Sequence, residues 1–286
     1  MISTGAALKV AVSVAEEYGV RVREPVVLKD SYNLRIHLRP APVVARVPTV
    51  TALARTHPGE ALRRELAVVS FLHELGAPVA PPSDLLPAGP HLRDGVAVSF
   101  WTHVEHDPDH RVTADVAGRM LAELHDALRG FPGTLPYLWT LVDEPVRLME
   151  SLAGEVEPGV LARLRDAHAG LVTRLNGGAA QCLHGDAHPG NLLATPAGLL
   201  WNDFEESTAG PVGWDLACLL RTTRLDGRAA VRAYGANPDD PGLRVFLTAR
   251  GLQAALWMMV RALRFPASAR EARAALDQWL GDNPPP

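Results

Sequence analysis

The sequence predicts an α+β protein of two lobes, a small antiparallel-sheet lobe followed by a larger, mainly helical one. Three observations carry this reading. The 286 residues are nearly twice the soft norm of about 150 per domain. Strand-like runs crowd into the first hundred residues. From Thr113 onward the apolar spacing turns helical. Hydrophobic residues at 47% and charged residues at 21% suit a water-soluble globular chain able to bury a core without disulfides.

The elements follow in order. Ser3 and Thr4 predict a helix cap, with the helix running to about Tyr18 and stopping at Gly19. Val26–Leu28, Leu34–Leu38 and Val43–Val47 read as three successive strands of an antiparallel sheet. Leu62, Leu66, Val69 and Leu72 recur at helical spacing, so residues 60–75 form an amphipathic helix ended by Gly76 and Pro78. Val96–Trp101 is another strand. The polar stretch 102–111 reads as a linker between a first lobe over 1–101 and a second over 112–286. In the second lobe, Val116, Met120, Leu124 and Leu128 mark one helix and Leu161, Leu164, Leu171 and Leu175 another. Short strand-like runs at 181–183, 191–194 and 199–202 interrupt the helices, which resume after Gly213.

Charge and composition exclude several function classes. A net charge of −4 with no basic run argues against a nucleic-acid partner. The charge is uneven, however: residues 1–104 hold 11 Lys/Arg and 9 Asp/Glu, net +2, leaving 17 and 23, net −6, for residues 105–286. An acidic second lobe favours a cationic substrate. Lys9 and the Glu16-Glu17 pair break up the first apolar patch, which argues against a secretory leader. Gly251–Val260, lying between Arg250 and Arg261, falls far short of the ~20 apolar residues of a membrane span. Cys182 and Cys218 sit singly in apolar runs, so no disulfide framework is indicated. These features predict a cytoplasmic protein with no membrane partner.

The chemistry concentrates in Leu183-His184-Gly185-Asp186-Ala187-His188-Pro189-Gly190-Asn191 and Leu200-Trp201-Asn202-Asp203-Phe204. Pro196-Ala197-Gly198 is a turn signal between apolar runs, which predicts a hairpin centred near Ala197. Asn191 and Asp203 would then face each other at its open end, beside the loop carrying Asp186. Two carboxylates and a carboxamide form an oxygen donor set suited to Mg²⁺. Metal-assisted phosphoryl transfer fits, and protein kinases place a catalytic Asp five residues before a metal-binding Asn and supply a further metal-binding Asp followed by Phe; Asp186, Asn191 and Asp203-Phe204 keep that pattern.

This wording, with Gly213-Trp214-Asp215-Leu216-Ala217 beyond it, resembles the aminoglycoside phosphotransferase family, small-molecule kinases of protein-kinase-like fold. The resemblance implies that Asp186 orients or deprotonates a substrate hydroxyl, that Asn191 and Asp203 bind Mg²⁺, and that His184, His188 and Asp215 brace the loop. It places Arg46 where the family has a phosphate-holding lysine and Glu65 as its partner on the helix. Ser31 and Asn33 fall in the turn that covers phosphates, and Phe100, Trp101, Thr102 and His103 in the hinge that meets adenine. Glu205 and Glu206 are substrate contacts or solvated charges. ATP or GTP is the implied co-substrate. Acceptors of relatives include aminoglycosides, choline, homoserine and amino sugars.

Two departures stand out. No glycine occurs from Val20 to Pro58, so the turn over 29–33 lacks the flexible backbone that usually covers phosphates. Lys9 and Lys29 are the only lysines, and Arg46 differs from lysine in shape and donor geometry. Two alternatives therefore stand beside the kinase: a catalytically silent module of the same fold, and a metal-dependent hydrolase built from His184, Asp186, His188 and the cluster of histidines and carboxylates over 103–110.

Overall fold

The structure, a computed structural model, describes residues 2–55, 57–175, 177 and 179–284. The first helix, α1 (Thr4–Glu17), begins where Ser3 Oγ accepts from Ala6 N at 3.2 Å and ends near Gly19, whose φ of +82° suits a helix stop. It buries Ala7, Ala11, Val14 and Ala15. β1 (Val22–Asp30), β2 (Asn33–Pro40) and β3 (Val43–Pro48) follow, then a single turn α2 (Thr51–Ala54), α3 (Pro58–Glu74), β4 (His91–Arg93) and β5 (Val96–Thr102). The five strands form one antiparallel sheet in the order β1-β2-β3-β5-β4. Leu34, Ile36, Leu38, Val43, Ala45, Val47, Val98 and Phe100 pack with α1 in one apolar core. The β2–β3 register sets Arg35 opposite Arg46.

Helices dominate next: α4 (Ala114–Leu128), capped by Thr113 Oγ1 on Val116 N, α5 (Trp139–Val142), α6 (Glu144–Ser151) and α7 (Pro158–Leu175). β6 (Gln181–Leu183) pairs with β9 (Thr208–Gly210), and between them β7 (Leu192–Thr195) pairs with β8 (Gly198–Trp201). α8 (Gly213–Arg221), α9 (Gly227–Tyr234), α10 (Leu243–Arg264) and α11 (Ala269–Asp282) complete the chain. No helix among the described residues is long and apolar enough to cross a membrane.

The chain divides into two compact units, Met1–His110 with Asn191–Glu206, and Arg111–Gly190 with Ser207–Pro286. The sequence reading keeps 112–286 in one lobe; the structure instead assigns the β7–β8 hairpin to the sheet-bearing unit. Backbone bonding is the reason. Trp201 N donates to Pro78 O at 2.8 Å, Ala80 N to Trp201 O at 2.9 Å and Asp107 N to Ala194 O at 2.8 Å, while the Trp201 ring is fully buried. These are three satisfied main-chain pairs plus one large apolar ring.

Candidate active site

In the helical unit, β6 delivers the chain into a loop held by one buried carboxylate. Asp215, in the first turn of α8, accepts from His184 N at 3.0 Å through Oδ2 and from Gly185 N at 2.9 Å through Oδ1. Its Oδ2 also meets His125 Nε2 at 3.0 Å, and His125 Nδ1 lies 3.0 Å from the Tyr234 hydroxyl. Gly185 takes a φ of +89°, a conformation open to glycine, and its carbonyl accepts from Trp214 Nε1 at 3.0 Å. The loop then presents Asp186. Its Oδ1 accepts from Arg250 Nη2 at 2.5 Å, and His188 Nε2 stands 3.4 Å from Oδ2. Arg250 is itself positioned by Gly185 O, by Gln253 Oε1 at 2.6 Å and by the Trp214 ring beneath it. Burial works against the charge on Asp186, but His188 and Arg250 outweigh it and hold the carboxyl well below the usual carboxylate range.

The sheet unit carries a second polar centre. Arg46, on β3 and 4% exposed, donates from Nη1 to Glu65 Oε1 at 2.5 Å and from Nη2 to Asp203 Oδ1 at 2.7 Å, with Glu205 Oε2 at 2.5 Å from the same nitrogen. Arg35 Nη2 holds the other oxygen of Asp203, Oδ2, at 2.6 Å. Arg55 Nη1 reaches Glu205 at 2.8 Å, and Asn33 Nδ2 donates to both Glu205 oxygens at 3.0 Å. Three guanidiniums thus face three carboxylates. Burial opposes the charge of Arg46, but Glu205, Glu65 and Asp203 outweigh it and keep the guanidinium protonated. Burial pushes Glu65 up to about 7 despite the pull of Arg46.

A family model described as the phosphotransferase enzyme family matches residues 26–251, most of the chain. The chain belongs to that family. Among curated proteins none matches this sequence. Similar solved structures include the GDP and kanamycin complex of APH(2")-IIia, at 15% identity with a TM-score of 0.65, covering 96% of this chain and 99% of that one. The choline kinase LicA from Streptococcus pneumoniae is similar at 16% identity with a TM-score of 0.64, covering 96% and 100%. The gentamicin complex of APH(2")-IIa is similar at 13% identity and 0.64, covering 97% of each. At such identities the likeness establishes the kinase-like fold: a five-stranded antiparallel sheet in one unit and a mainly helical second unit.

Several expectations shift once the side chains are placed. The hairpin turns on two residues, Pro196-Ala197, because Thr195 pairs with Gly198; Asn191 therefore stands across from Asn202, whose N donates to Asn191 O at 2.9 Å, and Asp203 lies one residue beyond. Asn33, expected at phosphates, is instead consumed by structure, its amide on Glu205 and its Oδ1 accepting from Thr51 Oγ1 at 2.7 Å. Ser31 stays on the turn, its N donating to Asn33 O. Phe100, expected in the hinge, has its ring in the core, and its N–H donates to Ala88 O at 2.8 Å. Trp101 bonds Ser99 through Nε1, and Thr102 N and His103 N donate to Pro81 O and Pro42 O. His103 stacks on His37 with centroids 3.8 Å apart. Glu205 is not a solvated charge, since Arg46, Arg55 and Asn33 enclose it; Glu206 is half-buried. Within the 103–110 stretch, Asp107 accepts from Asp109 N and His106 meets Val104 O. Among the described residues no group of three or more His, Cys, Asp or Glu is arranged to hold a metal ion.

Sequence reasoning missed Arg35, Arg55, His125 and Arg250. For Arg35 the signal falls one residue short: counting about Ala41 in the reversal Pro40-Ala41-Pro42 sets it opposite Val47, next to its observed partner Arg46. As for a divalent cation, the oxygen chemistry of Asn191 and Asp203 fits Mg²⁺, and the backbone bond between Asn191 and Asn202 keeps the two segments side by side. Both Asp203 oxygens are, however, in guanidinium bonds.

Proposed function

We propose that this chain is a small-molecule kinase that moves the γ-phosphoryl group of ATP or GTP to a hydroxyl of an amine-bearing acceptor, in the cytoplasm. The observation that carries the reading is the Asp186 loop: a carboxylate presented on a backbone pinned at His184 and Gly185 by buried Asp215. Membership of a phosphotransferase family supports it. Asp186 aligns the acceptor hydroxyl. As the new phosphorus–oxygen bond forms and the β–γ bridging bond breaks, the hydroxyl proton passes to an Asp186 oxygen and the nucleoside diphosphate leaves. A carboxyl held so acidic takes that proton late, which suits a loose transition state that asks the protein mainly for positioning. Asn191 and Asp203 would hold Mg²⁺, which when bound neutralises charge on the phosphate oxygens. Arg46, anchored by Glu65, donates to those oxygens. His184 and His188 keep the loop shape by accepting from Asp186 N and Gly190 N. The amine-bearing acceptor rests on the surplus of carboxylates after residue 104 and on the kanamycin, gentamicin and choline named for similar structures.

One observation favours the silent-module reading: Asp203 and Asn33 spend their polar atoms inside the protein. A screen of amines, amino sugars and aminoglycosides for acceptor-stimulated nucleotide consumption separates the two. Stimulation that falls roughly 10²- to 10⁴-fold in kcat in Asp186→Ala, with nucleotide affinity unchanged, is the expected result. Nucleotide binding without stimulation by any acceptor would favour the silent module, and full turnover in Asp186→Ala would remove Asp186 from its role.

A further inference from the structure

Arg35 and Arg46 are cross-strand partners on β2 and β3. Like charges placed directly opposite one another on adjacent strands repel, so the pair needs an anion between its two heads. Here that anion is the Asp203 carboxylate, gripped with one oxygen on each guanidinium, 2.6 Å from Arg35 and 2.7 Å from Arg46. The two arginines differ in the rest of their surroundings. Arg46 is 4% exposed and fixed by Glu65 and Glu205, yet its Nε is buried with no partner. Arg35 is 25% exposed and forms an ion pair with Asp203. Asp203 sits at a φ of +69°, a left-handed conformation uncommon outside glycine. The grip therefore joins one immobile guanidinium, one that reaches solvent and a carboxylate on a strained backbone.

Such an arrangement has a chemical counterpart. A phosphate group offers oxygens at the spacing a carboxylate does, and guanidiniums bind either one. The turn before β2 contains no glycine to wrap phosphates with backbone N–H groups, and the chain has no lysine beyond Lys29. We propose that Arg35 and Arg46 form a two-guanidinium clamp for the phosphate chain of the nucleotide, with Asp203 as the built-in occupant that a phosphate displaces. Arg35 is thus a nucleotide-binding residue, and the ion pair is the resting state of the site. This rests on the kinase reading above.

The test uses the full chain, inorganic tripolyphosphate, ATP and adenosine as probes in calorimetric titration, and no divalent cation. Arg35→Gln is expected to weaken tripolyphosphate and ATP by about ten- to a hundredfold, the size of a lost charge-assisted pair, and to leave adenosine unchanged; Arg35→Lys recovers part of the loss. Asp203→Asn is expected to do the reverse and tighten tripolyphosphate several-fold, because the competing carboxylate charge is gone. That opposite sign is not produced by a merely structural ion pair. Arg35 is partly exposed, so its variants are expected to fold, and melting temperatures check this; Asp203→Asn is an independent arm. Wild-type affinity for tripolyphosphate in Arg35→Gln, or weaker cation-free binding in Asp203→Asn, overturns the clamp while leaving the kinase reading intact. A wild-type chain that binds neither ATP nor tripolyphosphate overturns both.

Discussion

Asp215 in the helical unit and Asp203 in the sheet unit are both aspartates with both oxygens engaged, but their donors differ in kind. Asp215 is fully buried and bonds two consecutive main-chain N–H groups and a buried imidazole. Those donors are fixed to the chain, so the carboxylate dictates the path of the loop and, with it, the place of Asp186. Asp203 is partly exposed and bonds two guanidiniums at the ends of long side chains. Partly exposed Arg35 can let go, and the fixed Arg46 head can take another anion, without moving the backbone. The contrast separates a centre that fixes geometry from one built to exchange partners.

The largest effect should come from breaking the rigid centre. In Asp215→Asn one oxygen becomes an NH₂ group facing a main-chain N–H, so a buried donor loses its acceptor and His125 loses its anion. Breaking a buried charged contact on one side costs about 3–5 kcal/mol, which corresponds to a melting temperature lower by roughly 10 °C. Turnover should fall with it, because Asp186 loses its support. Nucleotide affinity of the folded protein should not move, since the arginines proposed to hold the phosphates belong to the sheet unit. A variant with wild-type melting temperature and turnover would show that the loop holds its path without Asp215.

How much of this was legible in sequence follows the same division. The helical-unit loop could be read because its chemistry is local: His184, Gly185, Asp186 and Asn191 sit within eight residues, and Asp215 shortly after. The first three strands and the long helix α3 followed from alternation and helical spacing, whereas β4, β9 and α2, of three or four residues each, are too short to leave a period. The sheet-unit network was not legible. Glu205 is buried by Asn33, Arg46 and Arg55, 150 residues or more away in the chain, and nothing next to Glu205 announces it. The hairpin register failed by one residue because Pro196-Ala197 makes a tighter turn than a loop centred on Ala197, which moved Asp203 past Asn191.

A middle-sized effect probes the exchangeable centre through pH. Burial raises the Glu65 carboxyl from 4.5 to about 7, so between those values the folded chain holds a proton that the unfolded chain releases. Stability from Glu65 is then fully present below about pH 4.5 and lost as pH rises through about 7. Glu65→Gln has no such proton to lose. The difference in unfolding free energy between wild type and Glu65→Gln, followed by denaturant titration from pH 4.5 to 8, should change by no more than about 3 kcal/mol, with wild type losing ground as pH rises. A flat difference, or the opposite slope, would mean that Arg46 keeps Glu65 ionised throughout.

The smallest effect in free energy uses Cys182 as a reporter on the rigid centre. This thiol lies on β6, one strand residue before the loop, and is half-buried. Burial, with Asp215 adding its charge, pushes it up to about 12. The thiolate is the reactive form, so at pH 8 a disulfide reagent should modify Cys182 roughly 10³-fold more slowly than a free cysteine. Modification then proceeds mainly through local opening of the β6–β9 pair. Asp215→Asn should accelerate it, both by removing the nearby charge and by loosening the loop, whereas Glu65→Gln should leave the rate unchanged because its disturbance lies in the other unit. Equal acceleration by both variants would show the two centres to be energetically linked and would undo the contrast between them. A Cys182 that reacts at once in the wild type would instead show that the Asp215 loop opens freely and is not the fixed element that its bonded main chain implies.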